Sequence, residues 1–132
     1  MSFSTVIRDI EQRIKDNWAT TVVAFPNVPL KKKPVSDDHW IRLRVFNDTT
    51  NRITIGTPGL HRASGTVVIE IFTPLNKGTR TGFTYGDTLA ELFRDAQFNG
   101  ITFQEVNISD AGPYEGWQKH DLVTPFYWDG TY

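Results

Sequence analysis

The chain has no cysteine in its 132 residues. That absence removes thiolate nucleophiles, disulfide scaffolds and zinc sites built on sulfur, and it suits a reducing compartment. An excess of charge is lacking too: 14 basic residues stand against 15 acidic ones, for a net charge of −1. There is therefore no global basic field of the kind that draws a protein onto nucleic acid. Long apolar runs are missing. None approaches the roughly 18 residues of a membrane-spanning helix, and Met1 to Ile14 is charged and periodic, unlike a secretion leader. Asn47-Asp48-Thr49 and Asn107-Ile108-Ser109 match the glycosylation sequon, but without a leader they read as chance.

Catalytic and metal-binding patterns are equally sparse. "NKGTR" (76–80) puts Lys before Gly and lacks the upstream glycine of a phosphate loop. His39, His61 and His120 have no second histidine or acid pair at metal-ligand spacing. Asp37 and Asp38 beside His39 read as loop chemistry. Ser64, His61 and Asp87 supply the residue types of a triad without a nucleophile elbow. No catalytic residue, cofactor or metal is expected.

What the chain does have is rings. Aromatic residues make up 13% of it, four of them Trp. A small core has limited room for so many, so some are expected on a surface that another protein covers. A chain of this length buries roughly two-thirds of its unfolded surface, enough for a single domain over residues 1–132.

The periodicity outlines the elements. Phe3, Ile7, Ile10 and Ile14 form one stripe of an amphipathic helix, capped by Ser2 or Ser4 and ending near residues 16–18. "TTVVAF" (20–25) reads as a strand. Residues 26–38, with three prolines and the run Lys31-Lys32-Lys33, read as a loop. "HWIRLRVF" (39–46) alternates strictly; "NDTTN" is expected to turn, with "RITIG" (52–56) returning as its hairpin partner. "TPGLHRASG" reads as a loop and "TVVIEIF" (66–72) as a strand.

A loop over 73–84 then leads to a second helix carrying Leu89, Leu92, Phe93 and Ala96. Thr84 with Asp87, or Thr88 with Glu91, offers a capping box, and Asn99-Gly100 a stop. "ITFQEVNI" (101–108) switches its apolar alternation midway, which predicts a β-bulge near Gln104–Glu105. "SDAGPYEG" reads as a loop, and residues 117–128 as a last strand that Pro125 confines to an edge or bends.

Two helices can cover only one face of such a sheet. The expected fold is therefore α+β: a two-layer sandwich with one mostly antiparallel sheet of five to six strands and both helices on one face. If Ile41, Leu43, Val45, Val67, Ile69 and Ile71 face the helices, then Trp40, Arg42, Arg44, Phe46, Val68, Glu70 and Phe72 face away. Rings mixed with Arg make up protein interfaces; the same mixture also fits a plain sheet face with cross-strand Arg–Glu pairs. Trp40, Arg42, Arg44 and Phe72 are the interface candidates on that face. Lys31, Lys32, Lys33, Lys77 and Arg80 are the candidates in the two long loops.

The layout as a whole has a counterpart. A helix ending near Trp18 runs into a short strand. A Pro-rich loop then leads to "HW" and a long strand. "HRASGTVVIEIFTP" follows, then a Gly-containing loop before "LAELF", and "TPFYW" closes the chain. In order, size and loop placement this resembles the tail terminator proteins of long-tailed, non-contractile bacteriophages.

The resemblance implies a structural virion protein without catalysis, made in the host cytoplasm and placed at the head-proximal end of the tail. It implies a homohexameric ring that caps the tail tube and ends its polymerisation. Its partners would be other copies of itself, the tail tube protein and a head-completion or neck protein. Genome DNA would pass through the lumen without sequence-specific binding, and no membrane is involved. The alternatives are a neighbouring neck or adaptor protein, or a small-molecule-binding α+β domain. The two long loops would be contact elements that order on docking.

Overall fold

The computed structural model describes residues 2–26, 28, 35, 38–56 and 59–130. Two helices, α1 (Phe3–Asn17) and α2 (Arg80–Phe93), accompany seven strands: β1 (Val22–Ala24), β2 (Trp40–Arg52), β3 (His61–Pro74), β4 (Gln97–Phe98), β5 (Ile101–Phe103), β6 (Asn107–Tyr114) and β7 (Trp117–Gly130). One sheet runs in the order β1-β2-β3-β7-β5-β4, with β6 also paired to β7. β1 lies parallel to β2, and every other pair is antiparallel. The α+β class is as expected, but the sheet has seven strands and curls instead of forming a flat layer. Bulges are the physical reason: each adds local twist to strands that are already long and right-twisted.

The α1 stripe is rotated slightly from the expected one. Val6, Ile10 and Ile14 are fully buried, while Phe3 stays partly exposed and sets its ring edge-on to Trp128. Of the two candidate caps, Ser2 accepts from the Thr5 amide. Beneath the helices, Ile41, Leu43, Val67, Ile69, Ile71 and Leu122 meet Ile10, Ile14, Leu89 and Phe93 in one core. This is the helix-facing set that the alternation predicts, with Val45 only partly buried.

"NDTTN" does not turn. β2 continues through it to Arg52 and β3 begins at His61, so the partner strand is β3 and not "RITIG". The ladder absorbs Asp48 as one extra residue between the pairs Asn47–Gly65 and Thr49–Ser64. Side-chain bonds then tie the bulge across the ladder: Asp48 accepts from Thr66, and the Thr49 and Ser64 hydroxyls lie 2.9 Å apart.

The expected loop over 73–84 also shrinks. β3 runs to Pro74 and α2 starts at Arg80, leaving five linking residues, 75–79. Asn76 and Gly78, both at positive φ, make that turn tight. Thr84 and Thr88 are not caps; each hydroxyl donates to the carbonyl four residues back inside α2. Asn99 and Gly100, both at positive φ, form the two-residue turn between β4 and β5, not a helix stop.

The bulge near Gln104–Glu105 does occur. β5 pairs Phe103 with Phe126, and β6 resumes with Asn107 opposite Val123, so three residues oppose two. The expected loop at 109–116 is mostly strand: β6 extends to Tyr114 and turns through Glu115-Gly116 into β7. β7 is not an edge strand. It lies between β3 and the β5/β6 side. Pro125 is tolerated because its carbonyl accepts from Gln104 at the bulge, so its missing N–H falls where the ladder is interrupted.

α2 approaches this hairpin closely through Gly82 and Gly86. A Cβ at Gly82 would run into the His120 ring, and one at Gly86 would press on Ile108.

Candidate functional site

The sheet face away from the helices is built around Glu70. Strand register sets Arg42, Glu70 and Asp121 side by side on β2, β3 and β7. Arg42 donates to both Glu70 oxygens, at 2.9 and 2.7 Å, and Lys119 Nζ lies 2.8 Å from the same carboxylate. Arg44 stands farther off, at 3.9 Å. Burial pushes the Glu70 carboxyl up, but the hydrogen bonds from Arg42 and Lys119 outweigh it and hold the group below the ordinary carboxylate value.

Next to this cluster lies a stack of rings. Trp40 stacks on Phe72 at 4.1 Å, and Trp117 sets its edge against both. Tyr114 approaches Phe72 at 5.9 Å. The result is a second, small apolar cluster on the face expected to be open. Phe72 is fully buried and Trp40 half-buried. Phe72 therefore cannot itself touch a partner; it supports Trp40 from beneath. Reading residues 109–116 as a loop leaves out Tyr114, while Trp117 and Lys119 belong to the expected last strand, and only its register against β3 brings them beside Phe72. The available signal was Glu115-Gly116 between two aromatic residues, a two-residue hairpin turn.

Past the ring stack the face opens. β1 pairs only with Trp40, Ile41 and Arg42. Among the described residues, the outer side of β2 from Leu43 to Arg52 has no strand partner. A groove lies where β1 ends, lined by Phe25, Pro26, Arg42, Val45, Phe46 and Tyr114 among others. Phe46 and Tyr114 are large apolar side chains left exposed there, and Arg44 is half exposed. A strand edge without a partner among the described residues, exposed rings and arginines thus meet at one place.

Of the proposed contact residues, Trp40, Arg42, Arg44 and Phe72 come together on this face. Lys77 and Arg80 do not join them: Lys77 lies in the turn after β3 and Arg80 is the first residue of α2, both exposed. Lys31, Lys32 and Lys33 lie outside the described residues.

The triad residue types are not assembled. The Ser64 hydroxyl pairs with Thr49, and His61 Nδ1 faces the Gly59 carbonyl. Among the described residues no group of three or more His, Asp or Glu could hold a metal, and no helix is long and apolar enough to cross a membrane. His120 is fully buried against α2, with the Phe83 ring edge-on at 4.6 Å, and neither ring nitrogen has a hydrogen-bond partner among the described residues. Burial pushes its pKa down, partly opposed by Asp110 and Asp121.

Comparison with known proteins adds three findings. The profile of a family described as "Phage tail terminator protein" matches residues 5–109. No curated protein matches in sequence. One solved structure covers 100% of this chain and 98% of its own, with a TM-score of 0.66 at 20% identity; a likeness at that identity concerns the fold alone.

Proposed function

Because the chain belongs to the phage tail terminator family, and is on that ground a structural component of the phage tail, we propose that it forms a homohexameric ring on the end of the tail tube. In this reading the ring stops tube polymerisation and offers its other side to the head-completion or neck protein at the head-proximal end of the virion. Genome DNA crosses the lumen without sequence-specific contacts, in keeping with a net charge of −1.

The observation that carries the reading is β2, which beyond Arg42 is paired on one side only among the described residues. A protein that works alone blunts or covers such an edge. Here the edge carries Arg44 and Phe46 and is flanked by the Phe25–Tyr114 groove. Free backbone groups give affinity by strand addition, and rings with Arg supply anchors.

The test is sedimentation of the 15.1 kDa chain alone and with purified tail tubes, followed by tube length in assembly reactions. Rings of about six subunits on tube ends, with tube growth arrested, support the proposal. A chain that stays monomeric in the presence of tubes and leaves their length unchanged overturns it.

A further inference from the structure

The two halves of α2 are held on the sheet by different means. Leu89, Ala90 and Phe93 anchor the C-terminal half and are fully buried. In the N-terminal half the buried residues are Gly82 and Gly86, which have no side chain to bury. Residues 80–88, "RTGFTYGDT", hold two glycines and three threonines, all poor helix formers. Thr79 makes no side-chain cap bond, and the first turn has no acid to meet the helix dipole.

What this half rests on is a ring. His120 of β7 is fully buried, Gly82 lies so close that a Cβ there would run into the imidazole, and Phe83 stands edge-on at 4.6 Å. On its other side Tyr85 is edge-on to Trp18 and His39. Neither nitrogen of His120 has a hydrogen-bond partner among the described residues.

The charged groups around the ring do not bond it. Asp110 lies opposite on β6, but its carboxylate accepts from the Gly112 amide and the Gln118 side chain. Lys119 and Asp121, the neighbours on β7, turn to the other sheet face, where Lys119 meets Glu70. β3 presents Ile71. On α2, Arg80 and Asp87 are exposed. A proton on this ring would be buried without an acceptor, beside the positive end of α2; both burial and the dipole oppose it.

We propose that His120 is an acid-sensitive latch: when its imidazole takes up a proton, the N-terminal half of α2 lifts from the β6–β7 hairpin while Leu89, Ala90 and Phe93 keep the C-terminal half in place. The opened ring gains water and stands beside Asp110. The motion stays local because the fourteen-pair β3–β7 ladder does not pass through this half. The lifted piece takes Arg80 with it and shifts the end of the turn that carries Lys77, two of the expected contact residues. Burial holds the closed-state pKa below the ordinary 6.5, so opening becomes easier as pH falls through that value.

The test is amide exchange of the whole chain between pH 7.5 and 5.5, corrected for the intrinsic pH dependence of exchange. The amides of residues 84–88 should open more readily than those of β3 and β7 at every pH. Their opening equilibrium should rise about tenfold across this range, as expected for one histidine released to its ordinary value. In His120→Gln that rise should vanish. Protection at 84–88 equal to that of β3 and β7 overturns the proposal, and so does opening that does not change with pH. A titration of the wild type by NMR decides the matter even if the variant fails to fold. The His120 ring signals and the α2 amide signals should shift together; a ring that takes up its proton while the amides of 84–88 stay unmoved also overturns it.

Discussion

Glu70 is almost completely buried, yet charged, because three cations surround it. Glu70→Gln leaves Arg42 and Lys119 without their counter-charge. It should cost about 2–3 kcal/mol at pH 7, between the values for exposed and fully buried pairs. The sign with pH follows from the lowered pKa. The carboxylate's contribution is present above its ordinary value of 4.5 and is lost as pH falls through the lower folded value. Urea melts of wild type and variant at pH 7 and below pH 4 should therefore converge on acidification; a gap that stays constant would refute the account. His120 acts earlier in the same direction. Its pKa is lowered by burial, so the unfolded chain takes up a proton first as pH drops below the ordinary 6.5. Wild-type stability should begin to fall there, and His120→Gln should remove that first step. Phe72 and Arg44 separate fold from contact. Phe72→Ala should lower stability by about 3–5 kcal/mol, as for other buried rings, while Arg44→Ala should stay within about 0.5 kcal/mol. Equal melts for the two variants would mean that Phe72 is not the support of the ring stack.

The strands divide into a centre and a margin. β3 and β7 share a ladder of fourteen pairs, from His61–Gly130 to Pro74–Trp117. β1 and β4 are short, and β2 beyond Arg42 is bonded on one side only among the described residues. Amide exchange in the free subunit should be slowest in β3 and β7. It should be fast at those amides of residues 43–52 that point away from β3, since one-sided strands open locally at low cost. On assembly with tail tubes the outward amides of β2 should slow. Exchange there that is unchanged between free and assembled protein would argue against this edge as a contact. The turn at 75–79 is expected to be less variable than a dozen-residue loop would be, because Asn76 and Gly78 already hold it in a tight conformation.

The molecule as a whole is nearly neutral, but Lys31, Lys32, Lys33, Lys77 and Arg80 concentrate positive charge in two short stretches. Charges at the rim of an interface act mainly on the rate of encounter. Replacing all five with Ser should slow docking onto tail tubes or neighbouring copies and flatten its dependence on salt. The fold should survive, since Lys77 and Arg80 are exposed and make no ion pair with a described residue. Stopped-flow association at two ionic strengths decides the matter: equal rates and equal salt slopes for wild type and variant would leave these residues no part in steering.

Local periodicity by itself determined that there are two helices, the helix-facing residues of β2 and β3, and the bulge that reverses the alternation near Gln104; it did not set the ends of α2, which starts at Arg80 and stops at Phe93, short of Ala96. These follow from side-chain spacing, which needs no knowledge of distant residues. The family was legible in the order and size of the elements. Tertiary structure decided the rest, for reasons that lie between segments. Whether "NDTTN" turns depends on Ser64 and Thr66 across the ladder, which satisfy Thr49 and Asp48 and keep the strand going. Whether Pro125 marks an edge depends on what lies beside it, and a bulge there removes the need for its N–H. Whether Phe72 is a contact or a support depends on Trp117 and Tyr114, more than forty positions away in the chain, which fold over it through a hairpin. Alternation tells which side of a strand a residue faces. Only the curl of the finished sheet tells whether that side is covered.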